Sequence, residues 1–189
     1  MVDLIEESFR LQTFLENHHC AFCFIGGIAV QRWGEPRLTR DIDLSLLTGF
    51  GTEEILVDLL LSAYQPRIAD ARAFALTHRV LLLASGERIG IDVLLAALPY
   101  EELAIHRAVP VELLPQRSLR LCSAEDLVIM KMFAGRETDL RDARSVLVRQ
   151  GGGLDWNYIE AQLAEFEGLK EGPPLIDQLR RMRASIRPA

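Results

Sequence analysis

The stretch "FIGGIAVQRWGEPRLTRDIDLSLL", Phe24 to Leu47, decides how this chain is read. It sets Gly27 fourteen residues ahead of Asp41, between two runs of strand-forming residues. Side chains of a strand alternate faces, so Asp41 and Asp43 project to one side and Ile42 to the other. Carboxylates that close repel one another unless something positive lies between them. A metal ion, an arginine and water are the candidates. Arg37 and Arg40, just upstream, keep a structural salt bridge among the readings.

A third acid lies further on. In "RIGIDVLL", Arg88 to Leu95, Ile89, Ile91 and Val93 share one face of a strand, and Asp92 takes the other with Arg88 and Gly90. Strand interiors are depleted in aspartate, so three within apolar strand-like sequence need an explanation. Magnesium provides one, because it prefers a few carboxylate oxygens together with water and phosphate oxygens. Two such ions would activate an attacking oxygen and stabilise a leaving one in phosphoryl-type transfer. Gly26 and Gly27 fit the same chemistry: at a strand-to-helix junction they let backbone N–H groups approach a phosphate, and the helix dipole favours an anion there. The plain alternative is a solvated sheet end with ordinary surface acids.

The elements around these motifs follow from periodicity and punctuation. Residues 3–17 read as an amphipathic helix, "AFCFI" as a buried strand, "IAVQRW" as the start of a helix and "RDIDLSLL" as the second strand. Thr52 is the expected cap of a helix over Glu53–Ala63, and a less regular piece runs from Pro66 to Phe74. "HRVLLLA" and "RIGIDVLL", separated by "SGE", read as a hairpin, with "VPVELL" and "SLRLC" as short strands beside the sheet. From Ser123 onward the pattern is helical. Ser123 and Asp126 make a capping-box-like start, and Leu127, Met130 and Ala134 follow at helical spacing. Leu140 to Leu147 mark a second helix stopped by Gly151–Gly153, Asp155 caps a third, and an arginine-rich fourth follows Pro173-Pro174. The expected class is α/β (α+β): a core over residues 1–120 with a mixed sheet flanked by helices, and a helical region over 121–189 completing a cleft.

Composition bounds the function. The chain has 189 residues, 49% hydrophobic and 25% charged, the profile of one globular domain with an extension. A net charge of −6 argues against sequence-independent binding of long nucleic acids. It leaves room for a local basic pocket, since Arg32, Arg37 and Arg40, then Arg136, Arg141 and Arg144, cluster near the acids. Apolar runs such as Val80–Ala84 and Ile91–Leu98 are far too short to span a bilayer, and the acidic start "MVDLIEESFRLQ" is unlike a signal peptide. A soluble, cytoplasmic protein is expected, with no membrane partner. Cys20 and Cys23 have the spacing of a zinc half-site or redox pair, but no second cysteine-rich half follows, so structural thiols are expected.

Taken together, Gly26-Gly27, Asp41-Ile42-Asp43 and Asp92 resemble the signature of the DNA polymerase-beta-like nucleotidyltransferase superfamily. The spelling "RLTRDID", Arg37 to Asp43, looks most like the small bacterial branch that includes abortive-infection (AbiEii-type) toxins. "EDLVIMKMFAGRETDLRDARSVL", Glu125 to Leu147, is similar to that branch's helical motif. The resemblance implies a nucleotidyltransferase fold and transfer of a nucleoside monophosphate from an NTP to an acceptor hydroxyl or phosphate, with release of pyrophosphate. It implies that Asp41 and Asp43 ligate two magnesium ions, and that Asp92 ligates the catalytic one and draws the acceptor's proton. Gly26 and Gly27 would hold the triphosphate, with Lys131 and Arg40 as further phosphate contacts and Arg136, Asp139 and Asp142 serving in positioning or acceptor contact. The acceptor is open among a tRNA end, a small molecule such as an antibiotic and a protein side chain; a cognate antitoxin is a candidate partner. The alternatives are a non-catalytic nucleotide-binding or regulatory member of a toxin–antitoxin pair, and an interaction protein that kept only the fold. On plain readings, Lys131 is a surface lysine, and Asp139 and Asp142 pair with Arg136, Arg141 or Arg144 along their helix.

Overall fold

Phe22, Cys23 and Phe24 are too apolar to lie at a sheet edge, and in the structure all three are buried within a sheet. The computed structural model describes residues 2–86, 89–169 and 172–186. After helix α1 (Val2–Asn17), strand β1 (Phe22–Phe24) runs into α2 (Gly26–Trp33) and then β2 (Asp41–Leu47). Helix α3 (Glu53–Ala63) leads to a two-residue edge strand β3 (Gln65–Pro66), α4 (Ala71–His78) and the antiparallel pair β4 (Val80–Ser85) and β5 (Ile89–Ala96). Helix α5 (Pro99–His106) precedes the antiparallel pair β6 (Val109–Leu114) and β7 (Arg117–Leu121).

These strands form one seven-stranded mixed sheet in the order β3-β4-β5-β2-β1-β7-β6. The expected hairpin is present as the antiparallel pairing of β4 with β5; Glu87 and Arg88 lie outside the described residues. The segments expected beside the sheet belong to it, because β7 joins β1 in parallel through Phe24 and Leu121. The stretch expected to be irregular holds the start of α4, and Pro66 sits on the outermost strand, where a missing N–H leaves no ladder bond unmade. Helix α5 has no counterpart in the sequence reading. It is opened by Pro99 and by Glu101, whose carboxylate accepts from the N–H groups of Ala97 and Leu98 at 2.8 and 2.9 Å.

The chain divides into two compact units: Met1–Ile28 with Leu38–Cys122, and Ala29–Arg37 with Ser123–Ala189. The first contains the whole sheet. Ile42, Leu44 and Leu46 of β2 and Ile91, Val93 and Leu95 of β5 alternate onto a buried face of it. The second is built from α6 (Ala124–Ala134), α7 (Glu137–Gln150), α8 (Trp156–Glu165) and α9 (Leu175–Ala184). Its core gathers Leu127, Val128 and Met132, Val146 and Leu147, Ile159 and Leu163, and Leu179. Ser123 accepts from the Asp126 N–H at 3.0 Å, and Asp155 from that of Tyr158 at 3.0 Å, so both expected caps are made. Thr52 holds the N-cap position of α3 without capping it; its hydroxyl donates instead to the Thr48 carbonyl.

Among the described residues no helix is long and apolar enough to cross a membrane. None of Cys20, Cys23 and Cys122 is in a disulfide. Burial pushes the Cys20 thiol above its ordinary value, the opposite of what a redox-active thiolate needs.

Candidate active site

The three aspartates come together through strand register. β2 and β5 are neighbouring parallel strands, and Asp43 lies directly opposite Asp92 while Asp41 lies opposite Gly90. Residues paired in this way share a face, so all three carboxylates stand on the side away from Ile42 and Ile91. Gly90 leaves room for this arrangement, since a Cβ there would overlap Asp41 Oδ1.

The glycine pair closes on the same point from β1. Chain direction reverses after Phe24, the Ile25 N–H donates to the Asp43 carbonyl at 2.9 Å, and Gly26 opens α2 at φ +58°. A Cβ at Gly26 would overlap the Asp43 carboxylate, so this position needs both glycine's conformational freedom and its missing side chain. The Gly27 N–H donates to Asp43 Oδ2 at 3.3 Å, and a Cβ at Gly27 would overlap the Thr39 hydroxyl. The N-terminus of α2 is thus aimed at a carboxylate of the site, the favourable end of a helix dipole for negative charge. Arg40 is exposed immediately before β2.

A residue that no motif announced completes the group. Arg67, just after β3, donates from Nη2 to Asp92 Oδ1. Burial raises the affinity of Asp92 for a proton, with the Asp41 charge adding to it; the Arg67 charge and hydrogen bond oppose the shift without cancelling it, and the carboxyl stays above its ordinary value. Among the described residues no three Asp, Glu, His or Cys side chains are gathered into a ready-made metal cluster. Asp43 is turned toward Gly26-Gly27 and Asp92 toward Arg67, as mutually repelling carboxylates will be when each has another partner. The donor set itself, hard oxygens on one face with glycines clearing space beside them, fits magnesium.

Lys131, Arg136, Asp139 and Asp142 form a network within the helical unit. Lys131 of α6 is buried, with its ammonium 2.7 Å from Asp139 Oδ1 and 2.9 Å from Asp142 Oδ2 on α7. Arg136 donates to Asp139 at 2.5 Å, and Arg37 grips both oxygens of Asp142 at 2.8 Å. Lys131 is therefore not a surface lysine, and Arg37 pairs with Asp142. Arg141 pairs with Glu137 and Arg144 reaches Ser185, so neither serves Asp139 or Asp142 as the helical spacing allowed. Burial works to raise both carboxyls, but the surrounding cations and their hydrogen bonds win and hold both below their ordinary values.

The fold is that of known nucleotidyltransferases. The chain is similar over 97% of its length to an antigenic nucleotidyltransferase-like protein from Paracoccidioides brasiliensis, covering 94% of that chain at 17% identity and a TM-score of 0.54. It is similar to the antibiotic-resistance factor ANT(2'')-Ia at 17% identity and a TM-score of 0.53, covering 97% of this chain and 96% of that one. A third likeness, to the lincosamide antibiotic adenylyltransferase LnuA in its lincomycin-bound form, has 17% identity and a TM-score of 0.50 over 75% of this chain and 94% of the other. No protein-family model and no curated sequence matches the chain.

Proposed function

We propose that the protein is a magnesium-dependent nucleotidyltransferase that moves a nucleoside monophosphate from an NTP to a hydroxyl of a small-molecule acceptor. The observation that carries this reading is the register of β2 on β5, which sets Asp43 against Asp92 and Asp41 against Gly90. Asp41, Asp43 and Asp92 are the proposed magnesium ligands, with Gly26 and Gly27 beside the triphosphate and Arg40 as a secondary phosphate contact. When bound, magnesium supplies charge neutralisation at the phosphates and polarises the reacting oxygens. The acceptor oxygen bonds to the α-phosphorus as the bond to the pyrophosphate oxygen breaks, and the Asp92 carboxylate takes the hydroxyl proton. Its raised proton affinity suits a general base.

A small acceptor is favoured by the acidic net charge of −6 and by the fold-neighbours, one of which was solved with adenylyl-2''-tobramycin and another with lincomycin. The Arg37–Asp43 spelling supports placement near the small bacterial branch with abortive-infection toxins, for which a cognate antitoxin would be the partner. The test is incubation with each labelled NTP, magnesium and tobramycin, lincomycin or a cell-extract fraction, following label into product. The Asp41→Asn, Asp43→Asn double variant should lose NTP turnover and magnesium binding; turnover at the wild-type rate would overturn the reading. The non-catalytic alternative draws on the Arg67–Asp92 pair, which occupies the proposed base. It predicts magnesium-dependent NTP binding with no labelled product from any acceptor.

A further inference from the structure

Arg67 is anchored at its root and extended at its tip. Its backbone N–H donates to the Leu82 carbonyl on β4 at 3.0 Å, which fixes where the side chain starts. From there the guanidinium crosses to β5, where Nη2 meets Asp92 and Nη1 lies 2.7 Å from the place a Cβ of Gly90 would fill. That same place is the one Asp41 Oδ1 approaches from β2. One guanidinium thus stands beside Asp92 and Asp41, which lie diagonally across β5 and β2, held there by the absence of a side chain at Gly90. The pair is open to water, with the Arg67 side chain 31% exposed and that of Asp92 38% exposed, so it can part without disturbing the core.

We propose that Arg67 is the resident cation of this carboxylate group and that a divalent metal enters by exchange with it. The inference rests on the reading of Asp41, Asp43 and Asp92 as metal ligands. A guanidinium and a divalent ion cannot share these two carboxylates closely, because like charges a few ångströms apart repel. Metal entry therefore releases Arg67 from Asp92, and the metal affinity of the protein is set partly by the strength of the Arg67 pair. Arg67 is on this account a positioning residue, which keeps Asp41 and Asp92 neutralised until metal replaces it.

The experiment is titration of the full chain with Mn2+, without nucleotide, following loss of the free-ion paramagnetic resonance signal in wild type, Arg67→Gln and Arg67→Lys. Arg67→Gln should bind Mn2+ about tenfold more tightly than wild type. Arg67→Lys, which keeps the charge, should stay close to wild type. In the wild-type protein the Arg67 Nε–Hε resonance, assigned by its loss in Arg67→Lys, should shift as Mg2+ is added. Equal or weaker Mn2+ binding in Arg67→Gln, or a resonance that does not move while metal binds, overturns the exchange and leaves the metal site standing. Failure of all three proteins to bind Mn2+ overturns the metal reading together with it.

Discussion

Gly26 shows how one residue without a side chain decides the geometry of a site. Its φ of +58° is a conformation that side chains with a Cβ avoid, and a Cβ there would also overlap the Asp43 carboxylate. Gly26→Ala should cost roughly 1–2 kcal/mol for the backbone alone. It should also move Asp43, and a displacement of a reacting group on that scale costs on the order of 100-fold in kcat. Gly51→Ala is the matched control, since Gly51 has φ +83° with nothing within 4 Å of the added Cβ. It should lower stability in denaturant titration and leave turnover unchanged. If the two variants lose activity equally, Gly26 acts through strain and not through Asp43. The sequence made Gly26, Asp41, Asp43 and Asp92 legible because each is an unusual residue for the element it sits in. It made Arg67 illegible, since an arginine in a polar connection is ordinary, and its partner Asp92 lies 25 residues away on a strand reached only through β4.

At the scale of elements, the pairing of α6 with α7 rests on a charge network as well as on apolar packing. The spacing of Leu127 and Ala134 located α6 and the side of it near Lys131, yet the helical period could not say what Lys131 meets. Its partners are eight and eleven residues along on α7, and the arginine that completes the group, Arg37, is 105 residues from Asp142. Such contacts follow from tertiary placement, which local periodicity does not encode. Removing one member of a buried ion group leaves the others without compensation, at a cost of about 3–5 kcal/mol. Lys131→Met should therefore destabilise the protein by about that amount, read from the midpoint of chemical denaturation at constant slope. If Lys131 also contacts the triphosphate, the folded fraction of the variant will in addition bind NTP more weakly. Unaltered NTP affinity in that fraction would assign Lys131 to the network alone.

Over the whole molecule, the two units respond to acid in different senses. In the helical unit Asp139 and Asp142 are buried and held below their ordinary value of 3.8 despite burial, by Arg136, Lys131 and Arg37. A carboxyl depressed on folding contributes stability that is present above its unfolded value and is lost as pH falls through the folded one. In the sheet unit Asp92 is shifted upward, chiefly by burial, so protonating it relieves a cost. Asp58, which is exposed and held by Arg72, and Glu53, held first by backbone N–H groups at the start of α3 and then by Arg79, are depressed there. The exposed Asp58–Arg72 pair carries little stability, and Glu53, half-buried, faces one cation among the described residues where Asp139 and Asp142 each face two. Acid should thus weaken the helical unit first, beginning as pH drops below 3.8. The prediction is readable without labels, because Trp33 and Trp156, the two tryptophans of the chain, both belong to the helical unit, whereas every described strand belongs to the other. On lowering pH, tryptophan fluorescence should change before the far-ultraviolet signal of the sheet. In Asp142→Asn, which has already lost part of the acid-sensitive stability at neutral pH, the tryptophan transition should move to higher pH and the two transitions should separate further. Coincident transitions in the wild-type protein would mean that the buried network does not control the acid response.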